Sequence, residues 1–327
     1  MTIAVLGGGA WGTALAQVIA SGDRAATLWA REPEVVDAIN GARENPLFLP
    51  KISLSPLIRA TSDLGEIADA EAVLVVTPAQ HMRSVLRGLG NTGQPLILCA
   101  KGIEAGTHKL LHEVAREEHP GSAIAVLSGP TFAQEVAAGL PTAITLAAED
   151  EAQARSLAAL IARPTFRPYV STDLSGAEIG GAVKNVLAIA CGVVDGAGLG
   201  QNARAALIAR GFAEMTRFGM ARGARPETLA GLSGLGDLVL TCSSTSSRNF
   251  SLGVGLGQGK SARDWLAERR TVAEGAATAP VLVEAARAAG VDMPITEAVC
   301  ALLAGEAAVG AVIERLLTRP LGAEHRR

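Results

Sequence analysis

Short, continuously apolar runs punctuate the first half of the chain: TIAVL (2–6), AATLWA (25–30), AVLVVT (72–77), LILCA (96–100), AIAVLS (123–128) and AITLA (143–147). Runs without apolar/polar alternation are what strands covered on both faces present. Helix-like stretches with clear punctuation lie between them. In THKLLHEVAREEHPG, Thr107 is placed to cap a helix that Pro120 and Gly121 stop; in PTFAQEVAAGLP, Pro130 takes a first-turn position and Gly139 and Pro141 close the helix. Strand–helix alternation of this kind predicts an α/β fold with a doubly wound parallel sheet. Near FRPYVSTDLSG (166–176) the pattern changes to long Ala/Leu-rich helical stretches and glycine-rich turns, with no strand. The chain therefore reads as an α/β domain over residues 1–172 followed by a mostly helical domain over 173–327.

The helix that opens the second half carries an anomaly. In EIGGAVKNVLAIACGVV (178–194), Lys184 is the one charged side chain between Glu178 and Asp195. A helix apolar all round is a buried helix, and lysine is almost never fully buried without a partner. Either the Lys184 stem packs while its ammonium snorkels to water, or a polar group inside the protein meets it.

Composition narrows the function classes. A chain of 327 residues suits about two domains, and 49% hydrophobic against 19% charged residues can bury a large core. The net charge is −3, the basic residues are scattered, and the aromatics are six Phe, three Trp and one Tyr. That is neither an electrostatic footprint nor a stacking platform for nucleic acid. Cys99, Cys191, Cys242 and Cys300 form no C-x-x-C pair and read as reduced thiols of a cytosolic protein. The apolar start lacks a basic n-region and is broken by three glycines, which argues against a signal peptide. No uninterrupted apolar run reaches the ~18 residues of a membrane helix, so the expectation is a soluble protein without membrane insertion.

In AVLGGGAWGTALA, Gly7, Gly9 and Gly12 have the G-x-G-x-x-G spacing between a strand and a helix, the Rossmann-type arrangement. Such glycines allow a tight turn and a close approach to a pyrophosphate at the positive helix end. After the second strand, LWARE offers Arg31 and then Glu32. An arginine here suits the 2′-phosphate of NADPH, an acidic residue suits the free ribose of NADH, and a solvated helix start is a third reading of Arg31. Strand ends in an open α/β sheet face the ligand, so Lys101 of KGIEAG and Ser128-Gly129-Pro130-Thr131 are candidate site residues. In GLSGLGDLVLTCSSTSSRNFSLG, Asp237 sits in an apolar frame and a hydroxyl-rich run leads to Arg248 and Asn249. Guanidinium and amide donors suit a phosphate, although a polar surface loop has the same composition. His108 and His112, four apart with Glu113 adjacent, lack the H-E-x-x-H order and a third ligand; they read as a solvated helix face, with no metal.

Together, GGGAWGTALA, LWARE, NPLFLP, KGIE, SGPTFAQEVA, AVKNVLAIACG, QNARAALIARG, GLSGLGDLVLTCSSTSSRN and VAEGAATAPVLVEAARAAGVDMPITEAV resemble the bacterial NAD(P)-dependent glycerol-3-phosphate dehydrogenases, in order and over nearly the whole chain. The resemblance implies reversible reduction of dihydroxyacetone phosphate to sn-glycerol 3-phosphate, a phospholipid precursor, by a cytosolic homodimer. Carried over residue by residue, it sets the cofactor against Ala10, Trp11, Arg31, Lys101, Ala133, Arg248, Val272 and Glu274. It sets the substrate against Lys101, Gly129, Thr131, Asp237, Ser247, Arg248 and Asn249, with Lys184 as the proton-transfer lysine. The family pattern commonly has a second basic residue where Glu32 stands and Tyr where Phe48 stands, which loosens NADP selectivity and removes a hydroxyl.

On this reading Lys101 and Lys184 face the ketone oxygen, Asn185 and Asp237 are the expected polar neighbours of Lys184, and Asp237 holds the polar network, so the catalytic set is Lys184, Lys101 and Asp237. Burial and neighbouring cations are both expected to lower the pKa of Lys184. NADPH or NADH is the expected cofactor, with the order Arg31-Glu32 tilting toward NADPH. The alternatives are another dehydrogenase of the same architecture, of 6-phosphogluconate or ketopantoate type, and a non-catalytic dinucleotide-binding module.

Overall fold

The computed structural model describes residues 2–91, 93–267 and 273–318. Its first half is a single eight-stranded sheet interleaved with helices: β1 (Ile3–Leu6), α1 (Ala10–Ala20), β2 (Ala26–Trp29), α2 (Pro33–Ala42), β3 (Ile58–Thr61), β4 (Ala72–Val75), α3 (Ala79–Leu89), β5 (Leu96–Leu98), α4 (Leu111–Glu118), β6 (Ile124–Ser128), α5 (Ala133–Ala137), β7 (Thr142–Ala148), α6 (Glu151–Ile161) and β8 (Phe166–Ser171). The strand order is β3-β2-β1-β4-β5-β6-β7-β8. The chain reverses its direction of travel across the sheet between β1 and β4, the place where open α/β sheets form a ligand crevice.

Alternate residues of each central strand enter different cores. Ile3 and Val5 pack with α1 and α2 on one face, and Ala4 and Leu6 pack with α3 and α4 on the other. Both faces are therefore apolar, which is why these strands read as continuous runs.

The sheet departs from the sequence expectation in three ways. β6 and β7 pair antiparallel, with Ser128 opposite Thr145, so the last two strands run against the rest. β3 and β8 are strands where none was expected. Both lie at the sheet edges, where burial is incomplete: IRAT exposes Arg59, and FRPYVS exposes Arg167 and Tyr169. β8 also contains Pro168, which an edge strand tolerates.

Two helix starts also move. Thr107 does not cap α4; its hydroxyl meets Glu104 and accepts from the Lys109 amide, and His108 takes φ +57° in the intervening turn. The helix begins at Leu111, where the Leu110 amide donates to Glu113 Oε2 at 2.6 Å. Pro130 lies in the loop before α5, which starts at Ala133.

The second half is helical throughout its described residues: α7 (Leu174–Gly196), α8 (Gly200–Ala221), α9 (Pro226–Leu229), a π-helical turn (Leu232–Gly236), α10 (Asp237–Thr241), α11 (Arg248–Gly257), α12 (Ala262–Ala267), α13 (Glu274–Ala288), α14 (Pro294–Ala304) and α15 (Val309–Leu317). Asp173 caps α7 through the Gly176 amide at 2.8 Å. The residues from Gly176 to Val193 are buried without interruption. By length and composition α7 could cross a membrane, but 94% of its most apolar window is inside the protein. Leu174 and Ala177 belong to a core of the sheet, whereas Val183 to Val193 belong to the helical core.

α11 crosses α7 at backbone contact. A Cβ on Gly192 would stand 2.1 Å from the Phe250 carbonyl oxygen, and one on Gly253 would stand 2.0 Å from that of Ile189. Glycines on both helices are therefore required at the crossing, despite their poor helix propensity.

Candidate functional site

The glycine turn is shaped for a dinucleotide. Gly7 has φ +138°, and a Cβ there would be 3.0 Å from the Val76 carbonyl carbon at the end of the neighbouring strand. A Cβ on Gly12 would be 1.9 Å from the Gly7 oxygen, so helix and turn are packed as closely as backbone allows. Around Gly9 a Cβ would meet no protein atom within 4 Å, which leaves the middle glycine open to an incoming group. α1 starts at Ala10 without a capping side chain or an acidic residue in its first turn, so its amide donors suit a pyrophosphate. Ala10 and Trp11 occupy that first turn.

Two residues that sequence reasoning left out support this turn. A Cβ on Gly8 would lie 2.5 Å from the Ala30 side chain, so a glycine is needed here too, to seat the turn on the end of β2. Asn45, fully buried, donates to the Gly8 oxygen at 2.9 Å and to Thr13 Oγ1 at 2.8 Å, and accepts from the Phe48 amide. The NPLFLP block carried the signal in its buried asparagine rather than in Phe48. Arg31 follows β2 with its side chain 77% exposed and pairs with Glu32 at 2.9 Å.

The lysines converge on one carboxylate. Lys184 Nζ donates to Asp237 Oδ1 at 2.5 Å and to Thr241 Oγ1 at 2.8 Å. Lys101, just beyond β5, reaches the other oxygen of the same group, Asp237 Oδ2, at 2.7 Å. The Lys184 and Asp237 side chains are 6% and 0% exposed. Snorkelling is thereby ruled out: the ammonium is met inside the protein. Thr241, four residues after Asp237 on α10, was not singled out by sequence, although i, i+4 spacing places it on the same helix face.

Burial disfavours charge on Lys184; Asp237 opposes that effect and the Lys101 charge adds to it, leaving Lys184 lowered to about 8. Burial also works against Lys101, but the Asp237 carboxylate outweighs it and Glu274 assists, so its proton affinity is raised. Two neighbouring amines are thus driven apart. One remains a fixed cation, while the other sits near the pH where a proton can be given or taken. Glu274, at the start of α13, is within electrostatic reach of Lys101.

Gly129 and Thr131 follow β6, with the Thr131 hydroxyl donating to the Gly129 oxygen at 3.3 Å; Ala133 opens α5. Ser247 caps α11 through the Phe250 amide at 3.3 Å. Arg248, in the first turn of α11, is exposed and makes no ion pair among the described residues. Asn249 is buried and already engaged: Nδ2 donates to Asn185 Oδ1 at 3.0 Å, and Oδ1 accepts from the Gly275 amide at 2.9 Å. Asn185 therefore serves α11 rather than Lys184, contrary to expectation, and Asn249 keeps one amide hydrogen for anything else. Val272 lies outside the described residues.

The two histidines do not form a solvated helix face. His112 is buried and joins Glu178 of α7 through its ring nitrogen at 2.6 Å and its amide at 2.8 Å. His108 pairs with Glu284 at 2.9 Å. Among the described residues no group of three or more His, Cys, Asp or Glu could hold a metal ion.

Known proteins resemble both halves of the chain. The profile of the NAD-dependent glycerol-3-phosphate dehydrogenase N-terminus matches residues 2–154, and that of the C-terminus matches residues 173–314. A glycerol-3-phosphate dehydrogenase [NAD(P)+] from Novosphingobium aromaticivorans is 64% identical over 324 residues, 99% of this chain and 98% of that protein. One of the same name from Erythrobacter litoralis is 64% identical over 323 residues, 99% of this chain and 98% of its own length. The crystal structure of glycerol-3-phosphate dehydrogenase from Coxiella burnetii, 37% identical, superposes with a TM-score of 0.93 over 97% of this chain and 99% of that one. With both halves matched in order, neither the 6-phosphogluconate nor the ketopantoate alternative stands, and the chain belongs to the NAD-dependent glycerol-3-phosphate dehydrogenase family.

Proposed function

We propose that the chain interconverts dihydroxyacetone phosphate and sn-glycerol 3-phosphate with NAD(P)H. The observation that carries the mechanism is the single buried carboxylate of Asp237 shared by two ammonium groups at the carboxyl edge of the sheet. When bound, the coenzyme supplies a hydride to the carbonyl carbon. Gly7, Gly9, Ala10, Trp11 and Gly12 hold its pyrophosphate, Arg31 its ribose end, and Ala133 and Glu274 flank it further along; Val272 is assigned to it by the family resemblance alone. The NADPH preference assigned to Arg31 is tempered by Glu32, which holds the same guanidinium.

Lys101 and Lys184 face the ketone oxygen and stabilise the negative charge that gathers there. Lys184 gives its proton to that oxygen, completing the alcohol, and takes it back in the oxidation direction. Asp237 keeps both lysines in register throughout. Arg248 supplies the charge that grips the substrate phosphate, assisted by the amides of the first turn of α11, the Ser247 hydroxyl and the remaining Asn249 N–H. Gly129 and Thr131 close the substrate side. We assign the nucleotide half to residues 1–172 and the substrate half to 173–327, and infer a cytoplasmic homodimer.

The test follows coenzyme absorbance with dihydroxyacetone phosphate and with unphosphorylated dihydroxyacetone. The intact protein should strongly prefer the phosphorylated ketone, because a remote phosphate contributes binding energy used at the reacting carbon. Arg248→Ala should raise KM for the phosphorylated ketone and largely erase that preference. An unchanged preference would show that Arg248 does not hold the phosphate.

A further inference from the structure

Gly180 and Gly181 are adjacent in the interior of α7, where glycine is the poorest helix former after proline. Different neighbours account for the two. A Cβ on Gly180 would stand 2.2 Å from the Ser233 carbonyl oxygen and 2.8 Å from Gly234 Cα, so that glycine admits the π-helical turn leading to Asp237. Gly181 meets side chains instead. A Cβ there would lie 3.1 Å from Ser128 Oγ, 3.2 Å from Lys101 Cγ and 3.5 Å from Lys101 Cδ. The Lys101 stem thus runs along the bare helix backbone at Gly181, one turn before Lys184. Ser128 borders the same space; it is buried, and its hydroxyl has no hydrogen-bond partner among the described residues.

We propose that Gly181 is a positioning residue for Lys101, forming with Ser128 a slot that keeps the Lys101 ammonium on Asp237 and beside Lys184. This rests on the assignment of both lysines to the ketone oxygen. The slot leaves little lateral freedom to a side chain that would otherwise have several rotamers. A methyl group at position 181 pushes on the flexible stem, which yields before backbone does.

The groups bearing on Lys184 are Asp237 and Thr241 of α10, Cys242 after it, and Lys101 beyond β5. Glu274 of α13 acts on Lys101. A displaced Lys101 leaves Asp237 to Lys184 alone and withdraws a repelling charge, and both changes raise the proton affinity of Lys184.

The experiment uses the full chain with Gly181→Ala and, separately, Ser128→Val, which narrows the slot from the sheet side. For each, kcat, KM for both substrates, melting temperature and the pH profile of kcat in the reduction direction are measured. Gly181→Ala should melt no lower than the parent, because alanine favours helix. Its kcat should fall roughly tenfold to a hundredfold, the usual loss for a small misplacement. The fall in kcat should exceed any change in coenzyme KM, which Lys101 shares with other contacts, and the alkaline limb should move to higher pH. Ser128→Val should move the limb the same way and decides the matter if Gly181→Ala does not fold. Normal kcat and an unmoved limb in the folded variants overturn the slot. Lys101→Met separates the two levels: a silent Lys101→Met sinks the assignment of Lys101 and this proposal with it. Loss in Lys101→Met beside normal slot variants sinks the slot alone.

Discussion

The nucleotide turn and the lysine cluster solve the same problem, holding polar groups where a ligand needs them, by opposite routes. The turn is carried by one contiguous motif: residues 7–12 set its shape against the ends of β2 and β4 and the Asn45 amide, and its donors are backbone amides. The cluster is assembled across the molecule, with Lys101 reaching Asp237 from 136 residues away and Lys184 from 53. The turn's donors belong to the backbone and survive side-chain change, but the turn does not admit a Cβ at Gly7, Gly8 or Gly12. The cluster depends on three charged side chains, two cations on one carboxylate, and each can be removed singly.

The largest break comes at the cluster. Lys184→Met should lower kcat by about 10²–10⁴, the contribution of a positioned acid or base. Coenzyme affinity should persist, because Lys184 is not among the residues set against the coenzyme; turnover and coenzyme titration on this one variant check both. At the turn a comparable substitution acts through its support. Asn45→Ala removes the amide donor shared by the Gly8 carbonyl and the Thr13 hydroxyl, leaving only their long 3.5 Å contact with each other, and should cost about 1–3 kcal/mol of stability, as for buried groups that lose a partner. Coenzyme Kd should rise while kcat at saturating coenzyme holds, which calorimetric melting and steady-state kinetics can show. The smallest effect belongs to the exposed rim. Arg31→Ala should lower the NADPH/NADH efficiency ratio by only about tenfold, because an exposed guanidinium is screened. Glu32→Gln should shift that ratio the other way, and equal losses for both coenzymes in Arg31→Ala would make Arg31 structural.

The same contrast explains what could be read from the sequence. Gly7, Gly9 and Gly12 were legible because a contiguous motif carries its own geometry. Central strands were legible because burial on both faces leaves a continuous apolar run, and β3 and β8 were not because edge strands are half exposed. The antiparallel turn into β7 has no compositional mark. Lys184 announced itself through charge inside an apolar helix, and Asp237 through the same mismatch in a glycine-rich frame. The sharing of one carboxylate between two lysines, the diversion of Asn185 to Asn249, and the buried pair of His112 with Glu178 depend on which helices pack together. No local pattern encodes that.

The glycine crossing of α7 and α11 has a consequence for substrate size. Arg248 stands at the start of α11 and Lys184 in the middle of α7, and Asn185 joins Asn249 beside them. Two helices in backbone contact cannot slide or roll past each other without collision. On the proposed assignment of Arg248 to the phosphate and Lys184 to the proton, the span between them is therefore a fixed gauge. A three-carbon ketone phosphate that fits it reacts. A chain one carbon longer or shorter, anchored by its phosphate, presents its carbonyl off the mark, and neither helix can shift to meet it.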